Sequence, residues 1–162
     1  YVIIISLPYI IYYLATGRYI EKNTERYSEA DRYRVALHVI HVMKRNGRIR
    51  TSVTGVENLP AEGGYVLYAN HQGKYDALGI ILAQEKPCGV LWGKKQAERL
   101  MSRQVCGLID AVVIDLDNNR DKVRAIMDVT RQVKSGRNFL IFPLKLISMV
   151  GFMRRSFLSF YG

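Results

Sequence analysis

"YVLYANHQGKYDALGI", residues 65–80, sets a run of aromatic and aliphatic residues against a second apolar stretch, with a polar segment between them. Tyr65 to Tyr68 are residue types that fill pleated strands, and from Asp76 the apolar positions recur as on a helix. The segment reads as a strand ending at Asn70, a loop opened by His71 and a helix starting near Asp76. Strand-to-helix joints of this kind build α/β folds, in which ligands bind in the crevice beyond the carboxyl ends of the strands.

The alternation continues on both sides. "IRTSVTGV" (49–56) reads as a preceding strand and "DALGIILAQE" (76–85) as the helix. "CGVLW" (88–92) reads as a strand and "GKKQAERLM" (93–101) as a helix. "AVVID" (111–115) is then a strand, "NRDKVRAIMDVTRQVKSG" (119–136) a helix and "NFLIF" (138–142) a strand. Val, Ile, Leu and Phe fill the short strands almost continuously, as they do when helices cover both faces of a largely parallel sheet. Turn signals at "LPAEGG" (59–64), Pro87 and Gly136 fall between elements, and no internal repeat is visible. Residues 48–143 are thus expected to form one α/β domain.

Upstream, "SEADRYRVALHVIHVMKRNG" (28–47) places Tyr27, Ala30, Leu37, Ile40 and Met43 near helical spacing, with Ser28 and Asp31 as a capping pair and Gly47 as a stop. Residues 18–47 are read as an amphipathic helix region. His38 and His41 lie one turn apart on it, but no third ligand follows at suitable spacing, so packing is preferred to metal. "YVIIISLPYIIYYLA" (1–15) carries no charge, and Arg18, Lys22 and Arg26 follow. A span needs roughly 20 apolar residues, so residues 1–17 are read as a truncated membrane-anchoring helix. Tyr9, Tyr12 and Tyr13 suit an interfacial belt, and the basic flank puts the domain on the cytoplasmic side.

The chain of 162 residues has a formal net charge of +10 and pI near 9.8, which favours anionic partners without choosing among them. Nucleic-acid binding has no support beyond charge: zinc spacing, aromatic RNA-binding motifs and a concentrated basic tail are missing. Cys88 and Cys106 are expected to be reduced thiols.

His71 and Asp76 stand at the expected crevice. If residues 71–76 were all helical, steps of about 100° would set the two side chains roughly 140° apart, so a loop must intervene. Gly73 lets the backbone fold back, so that Asp76 reaches the imidazole Nδ1 while Nε2 faces the crevice. The carboxylate would fix the tautomer, and Nε2 would take a proton from an attacking hydroxyl near neutral pH. A histidine hydrogen-bonded to a capping aspartate is the alternative reading of the same spacing.

"NHQGKYD" (70–76) resembles the Asn-His-x4-Asp signature of the glycerolipid acyltransferases, in particular 1-acylglycerol-3-phosphate O-acyltransferase-like (lysophosphatidic acid acyltransferase) proteins. "VTGVENLPAEGGYVLYANHQGKYDALGI" (53–80) resembles that family's lead-in and motif, and "GKKQAERL" (93–100) its basic stretch after the next strand. The resemblance covers approximately the first 143 residues. It implies transfer of a fatty acyl group from acyl-CoA or acyl carrier protein to a lysophospholipid hydroxyl, as a membrane-bound step of phospholipid biosynthesis without metal or cofactor. His71 is then the base and Asp76 its orienting partner, with Asn70 beside the substrate. Lys94 and Lys95 would suit the acceptor phosphate or the phosphates of CoA, or else form a solvated helix face.

Two departures stand out. "VIDLDNNR" (113–120) has Leu116 where the family's second motif carries a phosphate-binding arginine; Arg120 is either its substitute or a helix-surface residue. "NFLIFP" (138–143) begins the Phe-Pro-Glu-Gly motif, yet "LKLISMVGFMRRSFLSFYG" (144–162) lacks the Glu and Gly. That atypical tail reads either as an interfacial helix or, preferably, as sequence translated in a shifted frame, since a choice of codons for Leu144–Leu146 restores a glutamate after Pro143. The leading reading is a membrane-anchored acyltransferase or a truncated, inactive copy; the other is a noncatalytic basic module at a membrane surface or on nucleic acid.

Overall fold

The computed structural model describes residues 2–70, 75–84 and 86–142. His71, Gly73 and the tail from Pro143 lie outside the described residues. In chain order the regular elements are helices α1 (Val2–Lys22) and α2 (Glu29–Asn46), strand β1 (Val66–Tyr68), helix α3 (Asp76–Leu82) and strand β2 (Cys88–Gly93). Helices α4 (Lys94–Ala97) and α5 (Leu100–Leu108), strand β3 (Val112–Ile114), helix α6 (Asn119–Lys134) and strand β4 (Asn138–Ile141) follow.

The four strands form a sheet in the order β1-β4-β2-β3, and every pairing is parallel. Parallel neighbours require crossovers, which the helices between the strands supply. Side chains alternate across the pleat. Val90 and Leu140 point into a core with Ile40 of α2, Ile81 of α3 and Val105 and Leu108 of α5. Leu91, Phe139 and Ile141 point the other way, onto Ala125 and Val129 of α6. Both faces are therefore covered, as the apolar strands anticipate.

Local signals set several boundaries. Ser28 caps α2 by accepting the Asp31 N–H at 3.2 Å and donates to the Asp31 carboxylate at 2.6 Å, and the helix stops at Gly47. The buried stripe of α2 is Tyr33, Ala36 and Ile40, flanked by Leu37, whereas Ala30 is exposed. Asn118 caps α6, and "NFLIF" becomes β4.

Other expectations are corrected. "IRTSVTGV" forms no strand: residues 49–55 are irregular and the chain then enters a short 3₁₀ turn, Val56–Asn58. β-branched content favours a strand only where a ladder is available, and Val53 is left exposed. "GKKQAERLM" is broken at Arg99, whose extended backbone separates α4 from α5.

The N-terminal apolar run is helical, but no helix among the described residues is long and apolar enough to cross a membrane. The membrane-spanning anchor is thus unsupported. Arg18 and Lys22 lie within α1, which is docked on the domain. The Gln104 amide of α5 donates to the Leu14 carbonyl at 3.0 Å, the Tyr13 ring meets that of His38 of α2 at a tilt of 51°, and Ile20 enters the core. Cys88 and Cys106 are free and buried, and burial pushes each thiol up to about 12.

Candidate active site

All four strands point their carboxyl ends to one side, and Asn70, Asp76, Lys94, Lys95 and Arg120 gather there because the helices that follow β1, β2 and β3 all begin there. At the β1 end, the Ala69 N–H donates to the Ile141 carbonyl at 3.1 Å, extending the ladder one residue before the exposed Asn70. Tyr75 precedes α3 and places its hydroxyl 3.4 Å from that of Thr51, so the irregular segment 49–55 rests against the start of this helix. Asp76 is the first residue of α3 and half-buried. Asn70 and Asp76 therefore flank a strand-to-helix junction, as their spacing requires, while the His71–Asp76 pair itself lies outside the described residues.

Lys94 and Lys95 open α4 directly after β2. The register pairing Gly93 with Ile114 brings them beside the residues that follow β3. Lys94 Nζ lies 3.3 Å from Asp115 Oδ2, and Lys95 Nζ lies 3.1 Å from Asp117 Oδ2. The Asp117 N–H and then the Lys94 ammonium hold the Asp115 carboxyl below the usual carboxylate range. The hydrogen bond to Asp117 pushes Lys95 up. The lysines thus face the crevice as members of ion pairs, and any anion arriving there competes with a carboxylate. Asp115 and Asp117 were not singled out as site residues. Their alternate spacing just after a strand was the available signal.

Leu116 packs into the apolar layer between sheet and α6, so its side chain takes no polar role. Arg120 sits exposed in the first turn of α6 at the crevice side, its N–H accepted by Asn118 Oδ1 at 3.0 Å. Asp121, one residue on, accepts the Asp115 N–H at 2.6 Å and ties that turn to the β3 end. No group of three His, Cys, Asp or Glu among the described residues is arranged to hold a metal ion.

A protein-family model described as Acyltransferase matches residues 50–143. The chain belongs to the acyltransferase family. The matched span is more than half of the chain and holds the entire sheet and every predicted site residue. No curated protein and no solved structure matches the chain. Membership in the acyltransferase family supports acyl transfer in general as the chemistry of the domain.

Proposed function

We propose that this acyltransferase moves a fatty acyl group from acyl-CoA or acyl carrier protein to the free hydroxyl of 1-acylglycerol-3-phosphate, a step of phospholipid biosynthesis. The observation that carries the reading is Asp76 opening α3 just beyond β1, inside the span that matches the family. His71 Nε2 takes the proton of the acceptor hydroxyl as its oxygen attacks the thioester carbonyl. The new C–O bond forms, the C–S bond breaks, and the imidazolium returns the proton to the leaving thiolate. Asp76 holds the tautomer and balances the imidazolium charge. Sulfur is a good leaving group, so neither a metal nor a covalent enzyme intermediate is required.

Asn70, Lys94, Lys95 and Arg120 line the route for phosphate in this reading. A phosphate monoester, with a charge of roughly −1.5 to −2 at neutral pH, outbids a carboxylate for a lysine. The protein works at a membrane surface, with its domain on the cytoplasmic side. Leu7, Tyr9, Ile11, Tyr12 and Tyr19 of α1 are exposed, an apolar and aromatic face suited to the lipid interface.

Transfer from a radiolabelled acyl thioester to lysophosphatidate in vesicles tests the proposal. His71→Ala should abolish transfer, and Asp76→Asn should lower kcat by about 10³ to 10⁴ with folding retained. A folded His71→Ala protein with near wild-type transfer would eliminate the mechanism. An inactive wild type would favour the noncatalytic reading.

A further inference from the structure

A groove of about 790 Å³ runs along the side of β3 that faces away from β2, between α5 and α6. It is continuous with a smaller depression that reaches Lys94 and Asp115 at the crevice, since both are bounded by Ala97, Arg103, Val113 and Asp121. The carboxylates in the groove are engaged. Asp110 pairs with Arg32 and Arg137, Asp128 pairs with Arg131, and Asp121 accepts the Asp115 N–H. Arg103 from α5 and Arg124 from α6 are different: both are exposed, and neither guanidinium has a hydrogen-bond or ion-pair partner among the described residues. Against the single carboxylate without a cationic partner, Asp121, stand two guanidinium groups on opposite walls, so the balance of the groove is positive.

We infer that this groove seats the phosphorylated nucleotide end of a coenzyme A thioester, with Arg103 and Arg124 as its phosphate ligands. The inference rests on the proposed acyl transfer and selects the nucleotide donor over the carrier protein. Guanidinium forks suit phosphate oxygens bidentately. The floor is apolar, with Ala125 buried and Val113 exposed to 43%, which suits the face of a base. A concave groove of this size admits a nucleotide, whereas a folded carrier protein docks on a broader, flatter surface. β1 and β3 are opposite edges of the sheet, roughly 14 Å apart at the usual strand spacing. A thioester on a long flexible arm can therefore react beyond β1 while its phosphates stay beside β3.

The test compares acyl-CoA with the matching acyl-pantetheine, which carries the same thioester without the nucleotide. Arg103→Ala and Arg124→Ala should each lower kcat/KM for acyl-CoA about tenfold or more, with a penalty on acyl-pantetheine at least tenfold smaller. Equal penalties on both donors would overturn the inference. Equilibrium binding of adenosine 3′,5′-bisphosphate gives a readout that needs no turnover, so the groove is judged even if transfer fails. Binding should weaken in both variants and persist in Arg34→Ala, which removes the same charge from α2. No binding to wild type, or equal weakening in Arg34→Ala, would overturn the inference, as would losses confined to an acyl-carrier-protein donor.

Discussion

Tyr33 reaches from α2 to α3 and donates its hydroxyl to the Ile81 carbonyl at 3.0 Å. Burial pushes the phenol far above its ordinary value, so it remains a donor throughout the working pH range. The same carbonyl also accepts the Gln84 N–H at 3.1 Å, so losing the tyrosine does not orphan it. Tyr33→Phe should therefore cost about 1 kcal/mol, at the ordinary net value of one hydrogen bond, seen as a lower denaturant midpoint with an unchanged slope. Lys94 and Lys95 show how an individual residue's role depends on a distant one. Each is a basic residue at a strand end, and each is met by an aspartate that only the β2–β3 register brings near.

Elements here are held by caps and by docking. Asn118 satisfies two free amides of α6, those of Arg120 and Asp121, at 3.0 and 3.3 Å. Asn118→Ala should destabilise the protein by about 1 kcal/mol and speed hydrogen exchange in the first turn of α6, with α2 unaffected. α1 poses a different question, because one side of it packs on α5 and α2 while Leu7, Tyr9, Ile11, Tyr12 and Tyr19 stay exposed. Apolar insertion is insensitive to screening, whereas attraction to a basic surface is not. The chain should pellet with lipid vesicles and stay bound in high salt; release by salt alone would remove α1 as the contact.

At the scale of the whole molecule, Arg137 ties several layers together. From the residue before β4 it reaches Glu29 at the start of α2 at 2.6 Å and the Ile109 carbonyl after α5 at 2.6 Å, it also bonds Gln132 of α6, and it lies 5.3 Å from the centre of the Phe139 ring. Arg137→Ala should cost about 2 kcal/mol, because it leaves the carbonyl of the buried Ile109 without its guanidinium donor while the half-exposed Glu29 and Asp110 carboxylates turn to water, and thermal unfolding measures the loss. The bonds to Glu29 and to the Ile109 carbonyl join residues 108 and 28 positions away in the chain. What the sequence determined by itself was local: the cap at Ser28, the strand-to-helix junction around Asp76, and the apolar runs that became β1 to β4. Those signals depend on hydrogen bonds within a turn and on periods of two or 3.6 residues. "IRTSVTGV" misled because strand propensity needs a neighbouring strand, and α5 was overlooked beyond Met101 because its helical stretch is defined by packing under α1. Only the tertiary structure decided that β4 lies between β1 and β2, that the two lysines carry aspartate partners, and that Arg103 and Arg124 face one groove. Strand order and register join residues far apart in the chain, and no local period encodes which distant pair will meet.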